Sequence, residues 1–207
     1  NIRLSLAWSG WGKVSASRAA TRLLASDPGI DLLLFTGVAG AADPALRQWD
    51  VLLADAVVQH DMDARPLFPQ FTLPALKQDR LQPQQGWFDW AQTALLEAYS
   101  AGELNGFARP SSGLIATGDR FIGDPTMLQT LRDALPGLRA VEMEGAAVAQ
   151  VAEQEGVPWL VLRVISDGAD EGAAQSFEDF IKRYEQQAWR LIEALLKRCK
   201  GTPQRCE

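Results

Sequence analysis

Acidic and hydroxyl side chains that can act on a small molecule occur in two stretches of the chain. Glu142 and Glu144 flank Met143 just before a run of small apolar residues, and Ser166 and Asp167 end a strongly apolar stretch. In an extended segment the two glutamates share one face, and the methionine turns the other way. Carboxylates placed in this way can accept hydrogen bonds from hydroxyl groups, stabilise positive charge or transfer a proton.

A helix and a strand must position these two stretches. Small apolar residues recur at helical spacing over residues 146–155, and Gly156 and Pro158 end that helix. Residues 159–165 are almost wholly apolar and β-branched, which predicts a buried strand. The polar pair at 166–167 then lies at the carboxyl end of a strand, where ligands bind in open α/β sheets.

The remaining pattern alternates between strands and helices. It predicts strands over residues 2–9, 31–35, 51–58 and 112–117, and helices over 14–24, 87–99 and 125–135. A last helix is predicted to begin at Ser176, with Asp179 completing a capping box, and to present a buried stripe as far as Leu195. Three prolines within residues 68–85 indicate an irregular excursion. We therefore predict a single three-layer α/β/α domain over residues 1–207.

Composition excludes several classes of protein. The 207 residues are 47% hydrophobic, which is typical of a globular domain. The net charge of -6 argues against nucleic acid and anionic membranes as partners, and no apolar run approaches the length of a membrane span. Neither a signal peptide nor a disulfide framework is visible, because the two cysteines, Cys199 and Cys206, lie in the polar tail. We expect a cytoplasmic location.

One short motif resembles the end of a nucleotide-binding P-loop. Gly12-Lys13 matches that end, but Ala7 stands where the motif requires a glycine, and Val14 replaces the Ser or Thr. We therefore do not expect a binder of nucleoside triphosphates.

A second motif resembles a metal site. His60, Asp61 and Asp63 have side chains that ligate metals, but one histidine in a polar loop is more typical of a structural residue. We expect no metal and no cofactor.

Six stretches in order resemble the purine nucleoside phosphorylase superfamily, and within it the bacterial 5′-methylthioadenosine/S-adenosylhomocysteine nucleosidases. They are VEMEGAAVAQV at 141–151, VPWLVLRVISDGAD at 157–170, and the segments 9–14, 36–40, 60–61 and 118–122. Only the middle, about residues 65–109, matches poorly. The resemblance implies a central mixed sheet and an enzyme that hydrolyses the N-glycosidic bond of both nucleosides, releasing adenine.

The resemblance also implies roles for individual residues. Asp167 would protonate N7 of the purine, Glu144 would bind the ribose hydroxyls, and Arg163 would hold the attacking water. Further implied contacts with the substrate involve Phe121 as the purine platform, Met143 against the sugar, the main chain of Ile122, and Ala39, Gly40, Glu142 and Ser166. From the residues alone, helix capping, core packing and a structural ion pair of the arginine remain alternatives.

The nucleophile is water or phosphate. Phosphorylases of the superfamily bind phosphate with an arginine and a hydroxyl residue, and Phe35 and Val38 stand at those places here. Neither side chain can donate a hydrogen bond to an anion, which favours a hydrolase. The alternatives are a phosphorylase, a nucleosidase for another purine nucleoside, and a nucleoside-binding protein without catalysis.

Two further expectations come from the family. Relatives complete the 5′ pocket with a second subunit, so we expect a homodimer, and aromatic residues exposed within 68–90 would add to its interface. Relatives also carry a glycine-rich strand and a helix before the position of Asn1, with a catalytic glutamate that has no counterpart in these residues. We therefore expect the natural protein to be longer.

Overall fold

The structure, a computed structural model, describes residues 2–169, 173–199 and 202. Its five strands are Leu33–Ala41 (β1), Val51–Gln59 (β2), Ser111–Thr117 (β3), Leu138–Glu142 (β4) and Trp159–Asp167 (β5). They close into a barrel in the order β1-β4-β3-β2-β5. The pairs β1–β5, β2–β3 and β3–β4 are parallel, whereas β1–β4 and β2–β5 are antiparallel. The predicted mixed central sheet is confirmed, and its closure pairs every one of these strands on both sides.

Helices cover the sheet from several sides. Those in the described part of the chain are Lys13–Ser26 (α1), Gln85–Ser100 (α2), Pro125–Ala134 (α3), Gly145–Gln154 (α4), Ala173–Tyr184 (α5) and Trp189–Lys197 (α6). Small residues of α1 and α4 pack together in one cluster with β1 and β5, and α2, α5 and α6 share a second cluster. Within the described ranges, none of these helices is long and apolar enough to cross a membrane.

The predicted strand at residues 2–9 is wrong. No regular structure occurs over this segment, and Leu6 and Trp8 are exposed. Alternation of side chains favours a strand only where a neighbouring strand supplies hydrogen bonds. Among the described strands, none pairs with this segment.

The first strand of the sheet continues through two glycines that we expected to end it. Instead of stopping at Phe35, β1 runs through Gly37 and Gly40 to its end at residue 41. It pairs with β5 along its length, and Gly40 is also opposite Val141 of β4. Tertiary hydrogen bonding therefore outweighs the weak strand preference of glycine.

The last predicted helix is two helices. α5 begins before Ser176, which lies inside it, and ends at Tyr184, and a turn leads into α6. The apolar stripe is nevertheless correct in part, since Phe180, Leu191 and Leu195 are buried in the cluster shared with α2. The backbone N–H groups of Gln187 and Ala188 both donate to the carbonyl of Tyr184 and close the turn between the two helices.

Candidate active site

A cavity of about 570 Å³ brings the predicted site residues together. Glu142 and Asp167 are the last residues of β4 and β5, so the strand ends deliver both carboxylates to one place. Every residue to which the sequence assigned a catalytic or substrate-binding role lines the cavity: Ala39, Gly40, Phe121, Ile122, Glu142, Met143, Glu144, Arg163, Ser166 and Asp167. The role of each one stays a prediction.

The deepest charged pair joins Arg163 to Glu142. Both side chains are almost completely buried, and Nε of the arginine donates to Oε2 of Glu142 at 3.2 Å, with Nη2 bonding the same oxygen. The backbone N–H groups of Glu144 and Gly145 donate to this carboxylate at 3.1 Å and 2.8 Å. A buried ion pair is stable only when such hydrogen bonds satisfy it. Glu142 therefore orients the arginine and the start of α4.

The other terminal nitrogen of Arg163 lies beside Gly37 of β1. Nη1 is buried and has no hydrogen-bond partner among the described residues. A Cβ placed on Gly37 would lie 3.0 Å from it, and the Phe35 ring covers the guanidinium at 4.4 Å. An unsatisfied buried N–H is costly. This nitrogen is therefore placed to donate to a small oxygen-containing ligand.

Glu144 is held at the junction of three elements. It precedes α4, its Oε1 accepts from the N–H of Gly12 at 2.9 Å, and Nη2 of Arg163 lies 3.9 Å from its Oε2. Burial and then the neighbouring Glu142 carboxylate raise the pKa of Glu144, although the Gly12 N–H and Arg163 act against this rise. Its ionised form is thus less stable here than in water. Such a carboxylate gains most when a cationic group forms beside it.

Asp167 is oriented by its immediate neighbours. The Ser166 hydroxyl donates to Oδ2 at 2.7 Å, and the N–H of Ala169 donates to Oδ1 at 2.9 Å. A Cβ on Gly40 would lie 2.9 Å from Oδ1, so only glycine leaves room for this carboxyl group. The local bonds that sequence reasoning considered as capping do occur, and they place the carboxyl group in the cavity wall.

An aromatic group stands at the mouth of the cavity. Ile122 is buried, whereas Phe121 is 42% exposed and packs edge to face against Phe177 with ring centroids 6.2 Å apart. Phe177 makes the same kind of contact with Trp11 at 5.8 Å. Sequence reasoning missed Trp11 and assigned Phe177 to the buried stripe of its helix. The sequence signal for Trp11 is its position between Gly10 and Gly12, in a loop where an aromatic side chain is not expected to belong to the core.

The chain has relatives among known proteins. The family model described as the phosphorylase superfamily matches residues 1–197. The chain belongs to the phosphorylase superfamily. This confirms the resemblance seen in the six sequence stretches.

Relatives within the superfamily include 5′-methylthioadenosine/S-adenosylhomocysteine nucleosidases. The protein of Geobacillus thermodenitrificans is 38% identical over 191 residues, covering 91% of this chain and 76% of the relative. The solved nucleosidase of Colwellia psychrerythraea, in complex with adenine, has a TM-score of 0.84 at 29% identity, covering 95% and 78% of the two chains. The futalosine hydrolase of Helicobacter pylori has a TM-score of 0.80 at 31% identity, covering 91% and 77%. The superfamily fold is thus shared by enzymes with different named substrates.

Proposed function

We propose that the protein hydrolyses the N-glycosidic bond of 5′-methylthioadenosine and S-adenosylhomocysteine, releasing adenine. The names of relatives at 35–38% identity support the substrates. The reaction type is supported by one observation. Arg163 lines the cavity together with two glutamates, and its buried Nη1 has no hydrogen-bond partner in the described part of the chain. The enzyme would act in the cytoplasm, in the salvage of methionine.

The charges around Arg163 favour water over phosphate as the nucleophile. One guanidinium lies within 4 Å of two carboxylates, those of Glu142 and Glu144. With both ionised, a phosphate dianion would enter a region that is already negative, and this repulsion is strong where water is excluded. Phe35 and Val38 line the same cavity without a donor for an anion. A neutral water needs only one N–H donor, and Nη1 of Arg163 can supply it.

The lining residues then divide the reaction between them. Asp167 donates a proton to N7 as the bond between sugar and base breaks, so that adenine leaves as a neutral base. Glu144 accepts hydrogen bonds from the ribose hydroxyls and places negative charge beside the developing cation. Arg163 holds the water that adds to the sugar cation. The proton that this water loses goes to bulk solvent, from which Asp167 regains the proton that it gave to the base.

Contacts with the two halves of the substrate complete this arrangement. Phe121 offers its ring face to the purine, and the main chain of Ile122 hydrogen-bonds the base edge. Met143 packs against the sugar. Gly40 and its neighbour Ala39 let the backbone approach the base closely.

The decisive experiment measures products. The protein is incubated with methylthioadenosine, S-adenosylhomocysteine, adenosine and futalosine, with and without phosphate, and bases and sugars are separated by chromatography. We expect adenine and free methylthioribose at a rate independent of phosphate. A sugar 1-phosphate as main product would establish a phosphorylase, and nucleoside binding without any base release would establish a binding protein.

We also propose a homodimer, on the basis of the family resemblance. The expected exposed aromatics within residues 68–90 do not support it, because Trp87 is buried and its aromatic neighbours are at least half-buried. Leu67, which lies just before this region, is exposed. Light scattering at micromolar concentration tests the proposal. A mass equal to that of one chain would contradict it.

A further inference from the structure

A polar network links the start of α1 to the loops after β2 and β3. The Lys13 ammonium pairs with Oδ1 of Asp61 at 2.6 Å, and the N–H of Asp119 donates to the other oxygen at 3.0 Å. The backbone N–H of Lys13 donates in turn to Oδ1 of Asp119 at 2.7 Å. These three bonds form a closed ring between a helix start and two loops. The Gly-Lys and His-Asp motifs each supply one residue of this ring, Lys13 and Asp61.

The network is partly shielded from solvent. The side chains of Lys13 and Asp61 are 19% and 32% exposed. Burial acts to raise the pKa of Asp61, but the Lys13 ammonium and the Asp119 N–H outweigh it, so this pKa lies below its ordinary value. Gln59 extends the network, since it accepts from Lys13 at 3.3 Å and donates to Gln150 of α4 at 2.7 Å. The ion pair is therefore present throughout the neutral range of pH.

Two neighbours of the network lie in the proposed active site. Gly12 comes directly before Lys13 and donates its N–H to Glu144. Phe121 and the following residue come just after Asp119. Gly12 has a φ of 85°, which favours glycine, and a Cβ there would make a tight contact of 3.0 Å with Oδ1 of Asp119. The network thus joins the sugar side of the site to its base side.

We propose that the Lys13–Asp61–Asp119 network is a positioning device that holds the sugar-binding carboxylate Glu144 in register with the base-binding segment 121–122. This inference rests on the proposed function. None of the three network residues lines the cavity. They act through Gly12 on one side and through the chain after residue 119 on the other.

A purely structural ion pair and a positioning network predict different pH profiles. The charged groups that face Glu144 are Glu142 of β4, which raises its pKa, and Arg163 of β5, which lowers it. The N–H of Gly12 from α1 also lowers it. If the start of α1 moves away, the Gly12 N–H no longer donates to Glu144, and the pKa of Glu144 rises further. Since the ionised carboxylate is the proposed active form, the acid limb of kcat/KM against pH then moves to higher pH.

The test compares Asp61→Asn with a matched control in the same loop. Asp63→Asn removes a surface carboxylate that pairs with Arg65, two residues further along the chain. Adenine release from methylthioadenosine is followed by absorbance between pH 4 and 9, with thermal melting of each variant to choose a temperature at which all are folded. For Asp61→Asn we expect kcat/KM to fall on the order of ten- to a hundred-fold, with the acid limb displaced upward. For Asp63→Asn we expect the wild-type profile.

A second variant covers the case in which Asp61→Asn does not fold. Lys13→Met removes the other end of the ion pair and leaves Asp119 in place, so it must displace the acid limb in the same direction. The double variant must lose less activity than the product of the two single losses, because both changes break the Lys13–Asp61 ion pair. If the wild-type enzyme releases adenine and the network variants show the same acid limb as the wild type, this inference is wrong and the proposed function stands. A wild-type protein that releases no adenine overturns the proposed function, and this inference with it.

Discussion

Replacing Glu142 by glutamine removes one charge and almost no volume from the centre of the site. The Glu142 carboxylate accepts hydrogen bonds from Arg163, from two backbone N–H groups at the start of α4, and from the Thr117 hydroxyl. The amide oxygen of the new side chain can keep the arginine bonds, and the hydroxyl can turn to accept from the new amide. The main loss is therefore the charge that balances the guanidinium.

The size of the effect follows from burial. Both side chains are 2% exposed or less, and the other carboxylate near the guanidinium lies 3.9 Å away. Removing one partner of a buried ion pair costs about 3–5 kcal/mol. Glutamine keeps most of the hydrogen bonds, so we expect the lower end, about 3 kcal/mol. This is a large part of the stability of a typical domain, which is roughly 5–15 kcal/mol.

Urea unfolding at pH 7 measures this loss. If the free energy of unfolding falls by about 3 kcal/mol per molar urea, Glu142→Gln should lower the urea midpoint of unfolding by roughly 1 M. The matched control is Glu103→Gln, which breaks an ion pair with Arg198 at the surface and should leave the midpoint almost unchanged. A midpoint shift below about 0.3 M for Glu142→Gln would refute the reasoning, since the pair would then be solvated in solution.

Three further predictions concern the cavity wall. Asp167→Asn should lose on the order of a hundred- to ten-thousand-fold in turnover while keeping its affinity for adenine, and near-normal turnover would show that another group is the acid. Gly40→Ala places a methyl group 2.9 Å from Oδ1 of Asp167 and should lower kcat/KM on the order of a hundred-fold, whereas Gly29→Ala in an exposed loop should not. Glu144→Gln should abolish most activity yet raise the urea midpoint at pH 7. Because the pKa of Glu144 is raised on folding, its ionisation lowers stability as pH rises through the ordinary value of 4.5 towards the raised one, so the gain should vanish at lower pH. An equal gain at pH 4 and pH 7 would contradict this.

Local patterns were sufficient for most elements. The apolar run before Ser166 predicts β5 almost to its last residue, and the small residues after Glu144 predict α4, because burial on both faces of a strand and one face of a helix imposes those periods. The order of polar residues after these elements also identified the cavity wall. A strand ends where the chain leaves the apolar interior, so the change from apolar to polar residues marks this place in the sequence.

Contacts between distant parts of the chain were decided only by tertiary structure. The bond from Gly12 to Glu144 spans 132 residues, and the ion pair from Lys13 to Asp61 spans 48. No local period encodes such pairs, because they depend on how the sheet closes. Because the sheet closes in this way, β1 continues past its two glycines. Among the described strands, none is left to pair with residues 2–9. The sequence by itself thus determined the family, the elements and the chemistry available, whereas packing decided which groups meet, since a hydrogen bond requires two groups within about 3 Å whatever their separation along the chain.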